Sequence, residues 1–117
     1  MQVRVYGIRN CDTMKKAFAW LDERGVAYDF HDYKRDGAPT DRLAAWAKAV
    51  GWEKLVNTRG PTWRKIPEAD RQGLDERRAL ALLAANTSAI RRPVVEAGRE
   101  LLVGFDAESF ARVLRRG

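Results

Sequence analysis

Cys11 is the only cysteine among the 117 residues of the chain, and it lies directly before an amphipathic segment that begins at Asp12. The thiolate form of cysteine, rather than the thiol, is the nucleophile. The first turn of a helix presents unpaired N–H groups and the positive end of the helix dipole, and both favour a thiolate. The position therefore predicts a reactive cysteine with a lowered pKa. The alternative is a cysteine that packs as a small apolar residue.

The residues after the cysteine decide how a redox reaction could be completed. In a C-x-x-C motif the second cysteine resolves the mixed disulfide, whereas this chain carries Met14 at that resolving position. Because there is no other thiol, any redox cycle through Cys11 has to pass through an intermolecular disulfide. An external thiol must then resolve it, and we expect glutathione, which is abundant, small and anionic.

Composition limits the classes of partner. The net charge of +6 favours an acidic partner, but 16 acidic residues are mixed through the chain. Basic pairs such as residues 91–92 and 115–116 are spread along the chain, and there is no basic stripe with interleaved aromatic residues, so we expect no direct nucleic-acid binding. One cysteine and one histidine, His31, predict no metal site, and we expect a structural role for His31.

Hydropathy and cysteine content indicate where the protein works. No run approaches the roughly 18 consecutive apolar residues of a membrane span. The first seven residues lack the features of a signal peptide, and a single cysteine fits a reducing compartment. We therefore expect a cytoplasmic protein that does not contact a membrane.

Apolar periodicity predicts the elements around Cys11. Alternation in residues 2–6 predicts a strand that Gly7 ends, and helical spacing follows from Asp12 as far as Leu21, with Gly25 as the stop. Residues 26–33 alternate again and predict a second strand. A strand, a helix and a strand in this order imply a right-handed crossover and two parallel strands.

The remaining chain reads as helices followed by a hairpin. Residues 34–40 predict a loop whose Thr40 caps a helix that Gly51 ends. Residues 57–75 predict a loop with one short helical turn, and Asp75 starts a further helix. Residues 93–105 hold two apolar runs around a glycine turn, which predicts an antiparallel hairpin. Asp106 then caps a last helix.

This order predicts an α/β protein with the thioredoxin fold: a mixed four-stranded sheet, β-α-β and then β-β-α, with helices packed on it. A helical insertion over approximately 38–90 follows the second strand. We expect a single domain over 1–117 and a monomer.

Four motifs carry a family resemblance: "YGIRNCDTMKKA", "NTRGPTWRK", "IRRPVVEAG" and "LLVGFD". They resemble the ArsC/Spx family of thioredoxin-fold proteins, and above all its YffB-like branch. That family includes glutathione- and glutaredoxin-dependent arsenate reductases, Spx transcriptional regulators and YffB-like glutathione-dependent thiol reductases. The resemblance implies an oxidoreductase with glutathione as co-substrate, with glutaredoxin as a further partner and a disulfide or an oxyanion as substrate.

The resemblance also implies roles for individual residues. Cys11 matches the nucleophile, and Arg92 matches a catalytic arginine that lowers the cysteine pKa and binds a carboxylate or oxyanion. Pro93 matches the cis-proline that lies beside the reactive cysteine. Arg59 falls where a second family arginine contacts the ligand. The Asn10 amide is either a helix cap or a further ligand contact.

Two departures from the family pattern bear on function. Arsenate reductases carry a third arginine in the last strand, and "LLVGF" at 101–105 has none. Disulfide-switching Spx proteins use C-x-x-C, which Met14 breaks. The sequence thus favours a glutathione-dependent thiol or disulfide reductase. The alternatives are a true arsenate reductase, or an Spx-like interaction protein that binds RNA polymerase or another protein.

Overall fold

A computed structural model describes residues 2–114, so the basic pair at 115–116 lies outside the described part of the chain. The strands are β1 (Val3–Gly7), β2 (Asp29–Asp32), β3 (Val94–Ala97) and β4 (Glu100–Val103). The helices are α1 (Asp12–Glu23), α2 (Tyr33–Asp36), α3 (Thr40–Val50), α4 (Trp52–Leu55), α5 (Pro61–Lys65), α6 (Glu68–Arg71), α7 (Glu76–Ala85) and α8 (Ala107–Leu114). A 3₁₀ turn spans Thr87–Ala89.

The four strands form one mixed sheet in the order β2-β1-β3-β4. β1 and β2 are parallel, and α1 supplies the crossover that a parallel pair needs. β3 runs antiparallel to β1, and β4 runs antiparallel to β3. This is the predicted thioredoxin-like sheet, with the helices α2–α7 between its second and third strands.

The chain divides into two compact units. One consists of the described residues up to Asp36 together with those from Arg92 onward, and it holds the sheet, α1, α2 and α8. The other spans Gly37–Arg91 and holds α3 to α7.

The sheet unit has its core on one face of the sheet. Val3 and Val5 alternate along β1 with the exposed Arg4 and with Tyr6, which is buried on the opposite face, so they share this face with the buried sides of α1 and α8. Phe110 of α8 is fully buried, and its ring meets those of Trp20 and Phe105 edge-on, at centroid distances of 5.5 and 4.9 Å. The Phe105 contact forms a hydrophobic staple across the start of α8, and Asp106 caps the helix by accepting from the Ser109 N–H at 3.2 Å.

The helical unit follows the predicted boundaries at its longer helices. Gly51 ends α3 with a φ of 88°, a conformation that favours glycine. Asp75 caps α7 by accepting from the Arg78 N–H at 2.9 Å. The buried apolar side chains of this unit are Leu43, Trp46, Ala47, Leu55, Val56, Trp63, Ile66, Ala79, Leu83, Ala89 and Ile90.

The second strand is shorter than predicted. It ends at Asp32, and the residues expected to continue the strand and begin a loop form the short helix α2. The Asp32 carboxylate accepts from the Lys34 N–H at 3.0 Å, and this local bond turns the backbone out of the sheet. The expected cap of α3 is also displaced, because Pro39 is its N-cap and Thr40 its first residue.

The loop predicted over 57–75 contains two short helices, and α4 before it was not predicted. Pro61 is the first residue of α5, and Pro67 is the N-cap of α6. Proline suits the start of a helix because its missing N–H has no intrahelical partner there. Elements of four or five residues are too short to show an apolar period, so the prolines read as loop markers.

None of the helices described here has both the length and the apolar character that crossing a membrane would require.

The aromatic contacts of α8 give a test of the core. Phe110→Ala is expected to lower the free energy of unfolding by about 3–5 kcal/mol, because it removes a fully buried ring that two other aromatic rings contact. Urea denaturation followed by circular dichroism measures the change. Arg112→Ala, at an exposed position of the same helix, is the control and is expected to stay within about 0.5 kcal/mol of the wild type. A Phe110→Ala loss no larger than that of the control would contradict the prediction.

Candidate active site

Cys11 is the N-cap residue of α1. Its backbone is extended, with φ −153° and ψ 134°, and its carbonyl accepts the first helical hydrogen bond from the Lys15 N–H at 2.9 Å. The residue is half-buried and packs at the margin of the sheet unit's core. The thiol therefore lies at the first turn of the helix, where the amphipathic pattern predicted it.

Arg92 contacts the sulfur directly. Its Nε donates a hydrogen bond to Cys11 Sγ at 3.3 Å, across 81 residues of sequence. The Arg92–Pro93 peptide bond is cis, as predicted. Pro93 is buried, and its carbonyl accepts from the Gly104 N–H at 2.8 Å. The hairpin of β3 and β4 thus anchors the residue next to Arg92, and Arg92 reaches the start of α1.

Opposing influences act on the acidity of the thiol. Partial burial raises the pKa of Cys11, because it penalises the charged form. The amide N–H of Met14, the Arg92 hydrogen bond and charge, and the Thr13 amide together outweigh burial and lower the pKa below its ordinary value. Both amides belong to the first turn of α1, whose unpaired N–H groups favour a negative charge. The result is an electropositive surrounding for a partly accessible sulfur, which is typical of reactive cysteines.

Met14 and Gly7 lie against each other beneath this site. Met14 is fully buried, and Gly7 ends β1 on the face that carries Val3 and Val5. A Cβ on Gly7 would come within 2.6 Å of Met14 Sδ. The sequence pattern indicates this glycine only as the end of a strand. The available signal was its place in the alternation of core residues, where a side chain is expected.

The other residues implied by the resemblance are placed as follows. Asn10 is exposed in the loop that precedes Cys11, and the interpretation of its amide as a helix cap is wrong, because Cys11 is the N-cap residue of α1. Arg59 belongs to the helical unit and is exposed in the turn between α4 and α5. The structure brings Cys11 and Arg92 into contact, with Pro93 next to Arg92. Ligand contacts by Asn10 and Arg59 stay predictions.

His31 contacts aromatic rings. Its ring centroid lies 5.2 Å from that of Tyr6 and 5.9 Å from that of Tyr33. These contacts fit the structural role expected for it. Within residues 2–114, no three His, Cys, Asp or Glu side chains lie close enough together to hold a metal ion.

Comparison with known proteins identifies the family. The family model described as the ArsC family matches residues 6–113, a region that includes Cys11, Arg92 and Pro93. The chain belongs to the ArsC family. The resemblance in the four motifs is thereby confirmed.

Three similar proteins show the kinds of protein that this ArsC-family chain resembles. A solved structure named YFFB protein is 48% identical, with a TM-score of 0.94, over 97% of this chain and 99% of that one. An arsenate reductase (ArsC) related protein from Brucella melitensis is 43% identical, with a TM-score of 0.76, over 99% of this chain and 97% of that one. The global transcriptional regulator Spx of Listeria innocua is 25% identical over 116 residues, covering 97% of this chain and 88% of Spx.

The contact between Arg92 and the thiol predicts the pH dependence of alkylation. The rate of iodoacetamide alkylation of the wild type is expected to rise with a midpoint below the free-cysteine value of about 8.5. Arg92→Ala should raise the midpoint, because it removes a hydrogen bond and a positive charge that favour the thiolate. Arg92→Lys should raise it less, because lysine keeps the charge but loses the planar guanidinium.

Arg91→Ala is the matched control for that experiment, because it removes the same charge from an exposed side chain one residue earlier. It should leave the midpoint unchanged. A wild-type midpoint at or above that of free cysteine, or equal shifts in the Arg91 and Arg92 variants, would contradict the prediction.

Proposed function

We propose that this ArsC-family protein is a glutathione-dependent thiol–disulfide reductase with Cys11 as its nucleophile. The observation that carries the proposal is the hydrogen bond from Arg92 Nε to Sγ of the only cysteine, at the first turn of α1. A thiolate stabilised in this way at a partly exposed position is suited to attack a disulfide.

The reaction has two exchange steps. The Cys11 thiolate attacks the glutathione sulfur of a mixed disulfide between glutathione and a second thiol, and the second thiol leaves as a thiolate and is protonated. One S–S bond breaks and one forms, which leaves glutathione bound to Cys11. The thiolate of a second glutathione then attacks the glutathione sulfur of that adduct and releases the Cys11 thiolate. In sum, the mixed disulfide and one molecule of glutathione become the free second thiol and glutathione disulfide.

The C-x-x-M sequence supports an external resolving thiol. Met14 occupies the resolving position and is fully buried, and a thioether cannot carry out the exchange. The adduct on Cys11 therefore persists until another thiol arrives. Glutathione is the proposed resolving thiol because it is also anionic and the chain is basic, with a net charge of +6.

Arg92 is the proposed catalytic residue beside Cys11. It lowers the pKa of the attacking thiol, and it favours the same anionic charge on a leaving thiolate. Arg92 and Asn10 are proposed to hold the carboxylates or amides of glutathione, with Pro93 at the same binding site, and a ligand contact by Arg59 stays a prediction. A carboxylate held by a guanidinium is a charge-assisted and often bidentate contact. Glutaredoxin is a further proposed partner, and the reducing cytoplasm is the proposed location.

A regulatory role is the second candidate function. The similarity to the regulator Spx over 97% of this chain favours it. In that case Cys11 would be regulatory or vestigial, and the partner would be a protein such as RNA polymerase. Reduction of arsenate itself is less favoured, because residues 101–105 lack the third arginine of the family's arsenate reductases.

A glutathione-coupled reductase assay tests the proposal. With the mixed disulfide of glutathione and 2-mercaptoethanol as substrate, Cys11→Ser should abolish turnover, because serine cannot form a disulfide. Arg92→Ala should reduce turnover about ten- to a hundredfold, the range that corresponds to the loss of one charge-assisted contact. Arg92→Lys should restore part of it. Mass spectrometry of the wild type after treatment with glutathione disulfide should find one glutathione per chain.

Circular dichroism is the folding control for these variants, and we expect Cys11→Ser to fold because serine suits the N-cap of a helix. Undiminished turnover in Cys11→Ser, or no adduct on the wild type, would refute the reductase and favour the regulatory protein.

A further inference from the structure

The backbone conformation at residue 7 does not require a glycine. Gly25 and Gly98 adopt positive φ angles of 65° and 61°, a region in which other residues are strained, whereas the φ of Gly7 does not lie there. Gly7 is buried at the end of β1, on the face that carries Val3 and Val5. A larger apolar residue would ordinarily continue that alternation.

The packing around residue 7 explains the glycine, because a neighbouring side chain occupies the space that a Cβ would need. An ideal Cβ on Gly7 would lie 2.6 Å from Met14 Sδ and 2.7 Å from Met14 Cε. Real Cβ atoms essentially never lie within 3.0 Å of such atoms, so either the end of the Met14 side chain or the backbone that carries it would have to move. The same Cβ would lie 3.6 Å from Arg92 Cβ, an ordinary contact. Met14 thus packs into the space that a side chain at residue 7 would occupy, and this space lies beside Arg92.

Both neighbours of Gly7 act on the Cys11 thiol. The Met14 amide N–H favours the thiolate, and Arg92 Nε donates to the sulfur at 3.3 Å. Met14 is fully buried in the first turn of α1. Because protein interiors leave few voids, an added methyl at Gly7 has to displace the Met14 side chain into packed atoms, or displace the first turn of α1 from the end of β1.

We propose that Gly7 and Met14 are a steric pair that sets the first turn of α1 against the end of β1 and so holds Cys11 within reach of Arg92. Gly7 is a positioning residue, since it acts through Met14 and touches no reacting atom. Met14 matters for more than the absence of a resolving thiol at position 14. Its side chain fills a space that the smaller side chain of a cysteine at that position would leave partly empty. The inference rests on the proposed function only in taking Cys11 as the reactive group.

The experiment is a double-mutant cycle read out by iodoacetamide alkylation across pH. Gly7→Ala should raise the alkylation midpoint and slow alkylation at neutral pH several-fold. In a Met14→Ala background the same Gly7→Ala change should have little effect, because the displaced atoms are no longer there. Val5→Ala is the control: it removes core atoms from the same strand and face, so it should lower stability and leave the midpoint unchanged.

Each outcome decides the inference. A folded Gly7→Ala with an unchanged midpoint overturns it, and so does a raised midpoint that persists in the Met14→Ala background. If Gly7→Ala does not fold, the double variant decides, since it should fold with the midpoint of Met14→Ala alone, and any other result is contrary. Alkylation requires no glutathione, so a wild type that forms no glutathione adduct would refute the proposed function and leave this result standing.

Discussion

The chemistry of the candidate site depends on the hydrogen bond between Arg92 and the Cys11 sulfur, and the strand pairing of the sheet unit makes that bond possible. Antiparallel pairing sets Tyr6 of β1 opposite Val94 of β3. The residues that follow β1 therefore come close to those that precede β3, and these are the segments that carry the cysteine and the arginine. Two strands far apart in sequence but adjacent in the sheet thus bring the thiol and the guanidinium together.

The chemistry of the site depends on a balance between the burial of the Cys11 sulfur and the hydrogen-bond donors that act on it. Full burial would raise the pKa of the thiol and close it to a second reactant, whereas full exposure would screen the arginine. Cys11 is half-buried at a helix start, and amide and guanidinium groups favour its thiolate. The sulfur therefore gains from its donors and stays open to attack, and the packing of Met14 against Gly7 holds that intermediate position.

Sequence patterns predicted the elements that have strong local signals. Each of these signals depends on only a few neighbouring residues. They are the alternation at Val3 and Val5, the glycines with positive φ after α1 and α3, and the aspartate caps of α7 and α8. Elements of four or five residues show no period, so the short helices α2, α4, α5 and α6 were missed or placed in loops. The purpose of Gly7 was also out of reach, because it depends on where Met14 lies in three dimensions. The family resemblance pointed to Arg92, which no local pattern would have paired with Cys11, while the single domain and the ligand contacts of Arg59 and Asn10 stay predictions.

The separation of 81 residues between the two partners has a consequence for the chain as it is synthesised. A ribosome completes β1, α1 and β2 long before it adds Arg92, and β1 occupies an interior place in the sheet that only β3 can complete. Contacts between distant segments form late, because a long loop must close first. A nascent chain that stops short of β3 therefore lacks the hydrogen bond and the positive charge by which Arg92 favours the thiolate. The full lowering of the Cys11 pKa therefore belongs only to a chain that has been completed through Arg92 and folded.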